Sequence, residues 1–172
     1  MIQDIQNLLR TTLAASSTFQ SLVGAGNANA ALARIYHDAW PKPASGQPSH
    51  SLAEITAIRP AAIVYTDPDD GFVTERDAMG DDLCWHQQGT VHAIIFRNVP
   101  DADKDNPSKV DTDFRVVIGG ILADLIATSE TAGYLACRRL TVDGPHRTAV
   151  EDLNAIGDAQ AYDIRIDWGV RG

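Results

Sequence analysis

Between Phe114 and Ile126, apolar side chains stand at Phe114, Val117, Ile118, Ile121, Leu122, Leu125 and Ile126. That is the i, i+3, i+4, i+7 repeat that gathers them on one helical face. A stripe of that length must be buried against a second layer, and the flanking sequence offers strands to bury it. Tyr162, Ile164, Ile166 and Trp168 alternate with Asp163, Arg165 and Asp167, which predicts a strand with one apolar and one wet face. Ala61 to Tyr65 is a short apolar run of the kind found in strands buried on both faces. Leu83 to His86 and Thr90 to Phe96 are strand-like, and Gly89 between them predicts a tight hairpin or a bulge. Arg34 to His37 and Tyr134 to Val142 complete the strand set, the latter leading to a turn at Asp143-Gly144-Pro145.

The helices outside the central one are shorter. Ile2, Ile5, Leu8, Leu9 and Leu13 share a face opposite Gln3, Asp4, Gln6 and Arg10, which predicts an amphipathic N-terminal helix. Ser17 to Gln20 has capping-box spacing before Leu22 and Val23, with Gly24 placed to end a short helical segment. Gly26 to Ala33 carries no pattern, and the prolines and glycine between Asp38 and Gln47 predict a loop. Ser51 to Glu54 caps a turn that Arg59-Pro60 must end, because a residue before proline avoids the helical region. Thr148 to Glu151 caps a short helix ending at Gly157. Strands and helices do not alternate regularly. The expectation is one α+β domain over residues 1–172: a mixed, mostly antiparallel sheet of five or six strands, with the long helix and the N-terminal helix packed on one face. The two glycines at 119 and 120 lie inside the apolar repeat and are read as close helix-to-sheet packing.

The chain has 172 residues and a net charge of −9. Residues 67 to 82 hold seven acids against Arg76, and residues 101 to 113 hold five against Lys104 and Lys109, so the rest is balanced at 11 of each sign. The excess is therefore expected in two solvated loops, and the summed field repels nucleic acid and anionic membrane. Nothing resembles a signal peptide, and no run approaches the roughly 20 apolar residues of a membrane span. Cys84 and Cys137 are too few for a disulfide framework and are read as buried thiols.

Motifs for chemistry are incomplete. Asp101-Ala102-Asp103-Lys104-Asp105-Asn106 opens like a calcium-binding EF-hand loop, then has Asn106 where glycine is needed and Thr112 where a bidentate glutamate is needed. Cys84 and His86 lie two apart and share a strand face, which begins a soft-metal site without a second pair at suitable spacing. No G-x-S-x-G elbow or phosphate-binding glycine loop is present. The expectation is no catalytic residue, no metal and no cofactor. A small enzyme or ligand-binding domain stays open as an alternative if Cys84, His86 and the acidic segments converge on one pocket.

The order of the pieces carries more than any motif. The amphipathic N-terminal helix, Arg34-Ile35-Tyr36, Arg59-Pro60-Ala61-Ala62-Ile63-Val64-Tyr65, the core helix, Gly133-Tyr134-Leu135, Gly144-Pro145-His146-Arg147 and Ile164-Arg165-Ile166-Asp167-Trp168-Gly169 together resemble the tail-terminator, or tail-completion, proteins of long-tailed bacteriophages. The resemblance implies a virion protein of the tail or neck, assembled in the host cytoplasm. It implies a homo-oligomeric ring, a hexamer, that caps the tail tube protein, ends its polymerisation and meets a head-side connector or head-closure protein. DNA would pass through without specific binding, and no membrane is involved. The acids Asp69, Asp70, Glu75, Asp77, Asp81 and Asp82 are expected toward the lumen or rim. Trp40, Arg59, Trp85, Arg147 and Trp168 are candidate interface residues. Another neck component, such as a head-closure or connector protein, is the neighbouring alternative.

Overall fold

The computed structural model describes residues 2–44, 46–66, 72–79, 82–132, 137–146 and 159–171. The chain opens with α1 (Ile2–Ala15), α2 (Ser17–Val23) and α3 (Ala28–Leu32). The cap of α2 is Ser16 rather than Ser17: its side chain accepts from the Phe19 amide, and Gly24 ends the helix in the left-handed region at φ 66°. Asn27 caps α3, in a stretch whose small residues showed no periodic signal. Strand β1 (Ile35–His37), helix α4 (Leu52–Ile58) and strand β2 (Ala61–Tyr65) follow, and α4 carries a full capping box between Ser51 and Glu54. Arg59 is extended, as its place before Pro60 requires.

The next three elements are β3 (Phe72–Met79), β4 (Asp82–Asn98) and α5 (Pro107–Ala132), with a 3-10 turn at Asp101–Asp103 between the last two. Strands β5 (Cys137–His146) and β6 (Ala159–Arg171) close the fold. The segment 148–157, read from sequence as a short helix, lies outside the described residues.

The result is the expected α+β class: among the described residues, six strands in the order β1-β2-β4-β6-β5, with β3 paired to β4. Among the described strands only β1 and β2 run parallel. Side chains of α1, α2, α3 and α5 form one cluster with the sheet, from Leu9, Leu13, Phe19, Phe114, Ile118 and Ile121 to Val64, Ile95, Ile164 and Trp168. These four helices lie on one face. Val110 extends the buried row of α5 one turn toward its start, whereas Ile126, assigned from sequence to that face, is 47% exposed.

Four local readings change. Gln87 to Gly89 forms neither hairpin nor bulge, because β4 runs unbroken through them and Gly89 pairs with Trp168 across β6. A Cβ at Gly89 would stand 3.0 Å from the Trp168 indole, so the glycine makes room for a large ring in the core. Gly120 packs helix to helix rather than helix to sheet: its missing Cβ would meet Thr18 of α2 at 2.9 Å, while Gly119 faces open space. Asp143-Gly144-Pro145 lies within β5, which shifts register between Asp143 and His146, so those residues bulge the strand instead of ending it. Gln6, placed on the wet face of α1, is buried and donates to the Thr66 hydroxyl at 2.9 Å and to Asp38 at 3.2 Å, tying α1 to the ends of β1 and β2.

Candidate functional site

The two acidic segments are not loops throughout. Residues 72–79 are β3, paired with β4 from Phe72↔Gly89 to Met79↔Asp82. Glu75, Asp77 and Asp82 therefore sit on strands. Among the described residues the pairing of β4 with β6 ends at His86↔Arg171, so beyond it β3 and the start of β4 form a two-stranded ribbon. Its register sets Glu75 opposite His86 and Asp77 opposite Cys84, a cross-strand relation invisible in the sequence. Asp69, Asp70 and Asp81 lie outside the described residues.

The second segment is a helix entrance. Asn106 caps α5, its side chain accepting from the Lys109 amide, and Pro107 takes the first helical position, where its missing N–H costs nothing. This explains why the EF-hand pattern breaks at Asn106. Lysine side chains answer the carboxylates: Lys104 meets Asp101 at 2.7 Å, and Lys109 meets Asp113 at 2.7 Å and Asp103 at 3.0 Å. The bonds that Lys109 donates to Asp113 and Asp103 hold its pKa up, and Lys104 holds that of Asp101 down. Burial lowers the pKa of Arg97, against the pull of Asp113, Asp103 and Asp111; its guanidinium lies 4.5 Å over the Phe114 ring and donates to the Val110 carbonyl.

The tryptophans divide. Trp168 is a core residue at 4% exposure, and Arg59 is equally buried at 4%, its pKa lowered by burial, so neither is an exposed interface anchor. Trp40 is half-buried on the opposite face of the sheet, its ring 4.7 Å from Phe96 and 5.6 Å from Tyr36. There it covers a second apolar cluster of Ile63, Ile94, Phe96 and Ala161. Trp85 pairs with Arg76 in the ribbon, and Arg147 lies outside the described residues.

The sheet face opposite α1, α2, α3 and α5 also carries a polar row that the alternation of β6 only hinted at. His92 Nδ1 lies 2.9 Å from Asp163, and the Tyr65 ring stacks on the imidazole at 4.9 Å. Thr90 donates to Asp167 at 3.0 Å, and Arg165 donates to the same carboxylate at 3.2 Å. A histidine–carboxylate pair can hold a proton, but the His92 side chain is only 8% exposed and offers little surface to a substrate. Among the described residues no cluster of three or more His, Cys, Asp or Glu has metal-binding geometry, and no helix is long and apolar enough to cross a membrane.

The strand edges differ in how they are finished. On β1, Arg34 and Asp38 bond to β2, which turns the Ile35 and His37 carbonyls outward. Arg10 donates to the first at 3.1 Å and the Ala39 amide to the second at 2.7 Å. That edge is capped. Among the described residues β3 pairs only with β4, and β5 only with β6, so each keeps an unpaired outer side.

No protein-family model matches the chain, and no curated protein is similar to it in sequence.

Proposed function

We propose that this chain is a structural virion subunit of the tail-terminator type, closing into a ring on the tail tube and providing the head-tail joining surface. The observation that supports this reading most is the uneven finish of the sheet. One edge is capped by Arg10 and Ala39, while among the described residues β3 in its ribbon and β5 keep unpaired outer sides. Unpaired edges of that length invite pairing with another chain and are normally blunted. Two different edges on one subunit are the raw material of a heterologous contact, which closes into a ring when its rotation closes. The ribbon carries Asp77 and Asp82 past the last described β4–β6 pair, with Glu75 at that junction opposite His86, an acidic projection suited to lining a passage that phosphate backbones cross without counterion-releasing contacts.

The test is the mass of the purified protein in solution, with negative-stain images of the same sample and of assembled particles. Hexameric rings are expected, and a strictly monomeric protein in both settings refutes the proposal. For the lining acids, replacing Asp69, Asp70, Asp81 and Asp82 by lysine is expected to slow DNA ejection from assembled particles; an unchanged rate removes them from the passage.

A further inference from the structure

A cleft of about 310 Å³ opens beside α4, lined among others by Arg34, Tyr36, Lys42, His50, Glu54 and Ile58. We propose that it binds a small oxyanion ligand, one presenting a carboxylate or phosphate group. Three basic side chains reach it from separate segments: Arg34 from the residue before β1, Lys42 from the following loop, and His50 from the entrance to α4. This convergence occurs in a chain of net charge −9, where cations are the minority.

The three basic side chains are held differently. Arg34 Nη1 is anchored on the carbonyls of Ala57 at 2.7 Å and Ile58 at 3.3 Å, so the guanidinium is fixed before any ligand arrives. Lys42 is exposed at the rim and makes no ion pair among the described residues. His50 lines the cleft beside them, and its Nε2 is buried without a hydrogen-bond partner among the described residues, a polar atom that the protein leaves unsatisfied. The acid in the lining, Glu54, already accepts from the Ser51 amide at 2.8 Å and the Ser51 hydroxyl at 2.9 Å, so its charge is directed at the helix cap. Tyr36 and Ile58 supply apolar wall. The volume suits a compact ligand, and the negative field of the whole chain disfavours a polyanion such as DNA at the same place.

The probes are inorganic phosphate and succinate, titrated separately into the full chain at constant ionic strength while amide NMR signals are followed. Saturable shifts confined to residues 34–44 and 50–58 are expected. Tighter phosphate binding identifies a phosphate ligand, and tighter succinate binding a carboxylate. Lys42→Ala should weaken the preferred probe about tenfold, the size of one charge-assisted hydrogen bond. His50→Gln, a second variant, should weaken it as well while signals from the sheet stay in place. No saturable shift with either probe, the same shifts with chloride alone, or unchanged affinity in both variants overturns the proposal.

Discussion

Asp124 offers the sharpest test of how α5 holds the N-terminal helices. Its Oδ2 accepts from the Ser16 hydroxyl at 2.7 Å and the Thr18 amide at 3.1 Å, with a weaker contact to the Ser17 hydroxyl at 3.4 Å. Ser16 is also the cap of α2, so one carboxylate on α5 completes the start of a helix of 7 residues. A helix that short does not persist without tertiary support. Asp124→Asn keeps the shape and removes the charge. The asparagine oxygen can still accept from both donors, so the loss is the charge assistance of two bonds, about 1 kcal/mol each when buried, and partial exposure keeps the total to about 1–2 kcal/mol. For a domain of this size that lowers Tm by about 2–8 °C. The Asp124 pKa is held below its ordinary 3.8, first by the Ser16 hydroxyl and then by the Thr18 amide. A depressed carboxylate stabilises above the unfolded value and loses that contribution as pH falls through the folded value. Thermal unfolding followed by circular dichroism should therefore show the widest gap between wild type and Asp124→Asn at neutral pH, narrowing below 3.8. In a double-mutant cycle, Ser16→Ala should be non-additive with it. Equal Tm values at neutral pH, or a gap that ignores pH, would refute the reasoning.

Phe114 is fully buried, edge-on to Tyr162 at 5.1 Å and beneath Arg97; Phe114→Ala should cost about 3–5 kcal/mol, read from the urea midpoint. Gly119→Ala, facing open space, should stabilise by up to about 1 kcal/mol, while Gly120→Ala should destabilise because its Cβ meets Thr18 at 2.9 Å; opposite signs in thermal melts check the pair. Ser51→Ala removes the capping box of α4 and should cost about 1 kcal/mol by the same assay. The ligand set read from sequence predicts no tightly held transition metal. Elemental analysis of the purified protein checks this, and stoichiometric zinc lost in Cys84→Ser would overturn it at the one place where register sets Cys84 opposite Asp77.

The sequence by itself determined the elements whose signal is local. The repeat of α5, the alternation of β6, the Ser51 cap and the stop at Arg59-Pro60 all act within one or two turns or along one strand, where neighbouring residues set the backbone. The class followed from their order. The weaker local signals behaved differently: α3 rests on a side-chain cap among small residues, and the acidic run 72–79 reads as solvated loop until β4 pairs with it. Which residues of the candidate site are reachable was a tertiary decision. Trp168 and Arg59 have the chemistry of interface anchors, yet packing against Gly89 hides one and burial at the end of α4 hides the other. Likewise Arg34, Lys42 and His50 are scattered along the chain and line one cleft only in the folded structure, where Arg34 is anchored on the last carbonyls of α4. Strand register, edge capping and the meeting of distant side chains depend on contacts between residues far apart in sequence, so the packed sheet and helices had to settle them.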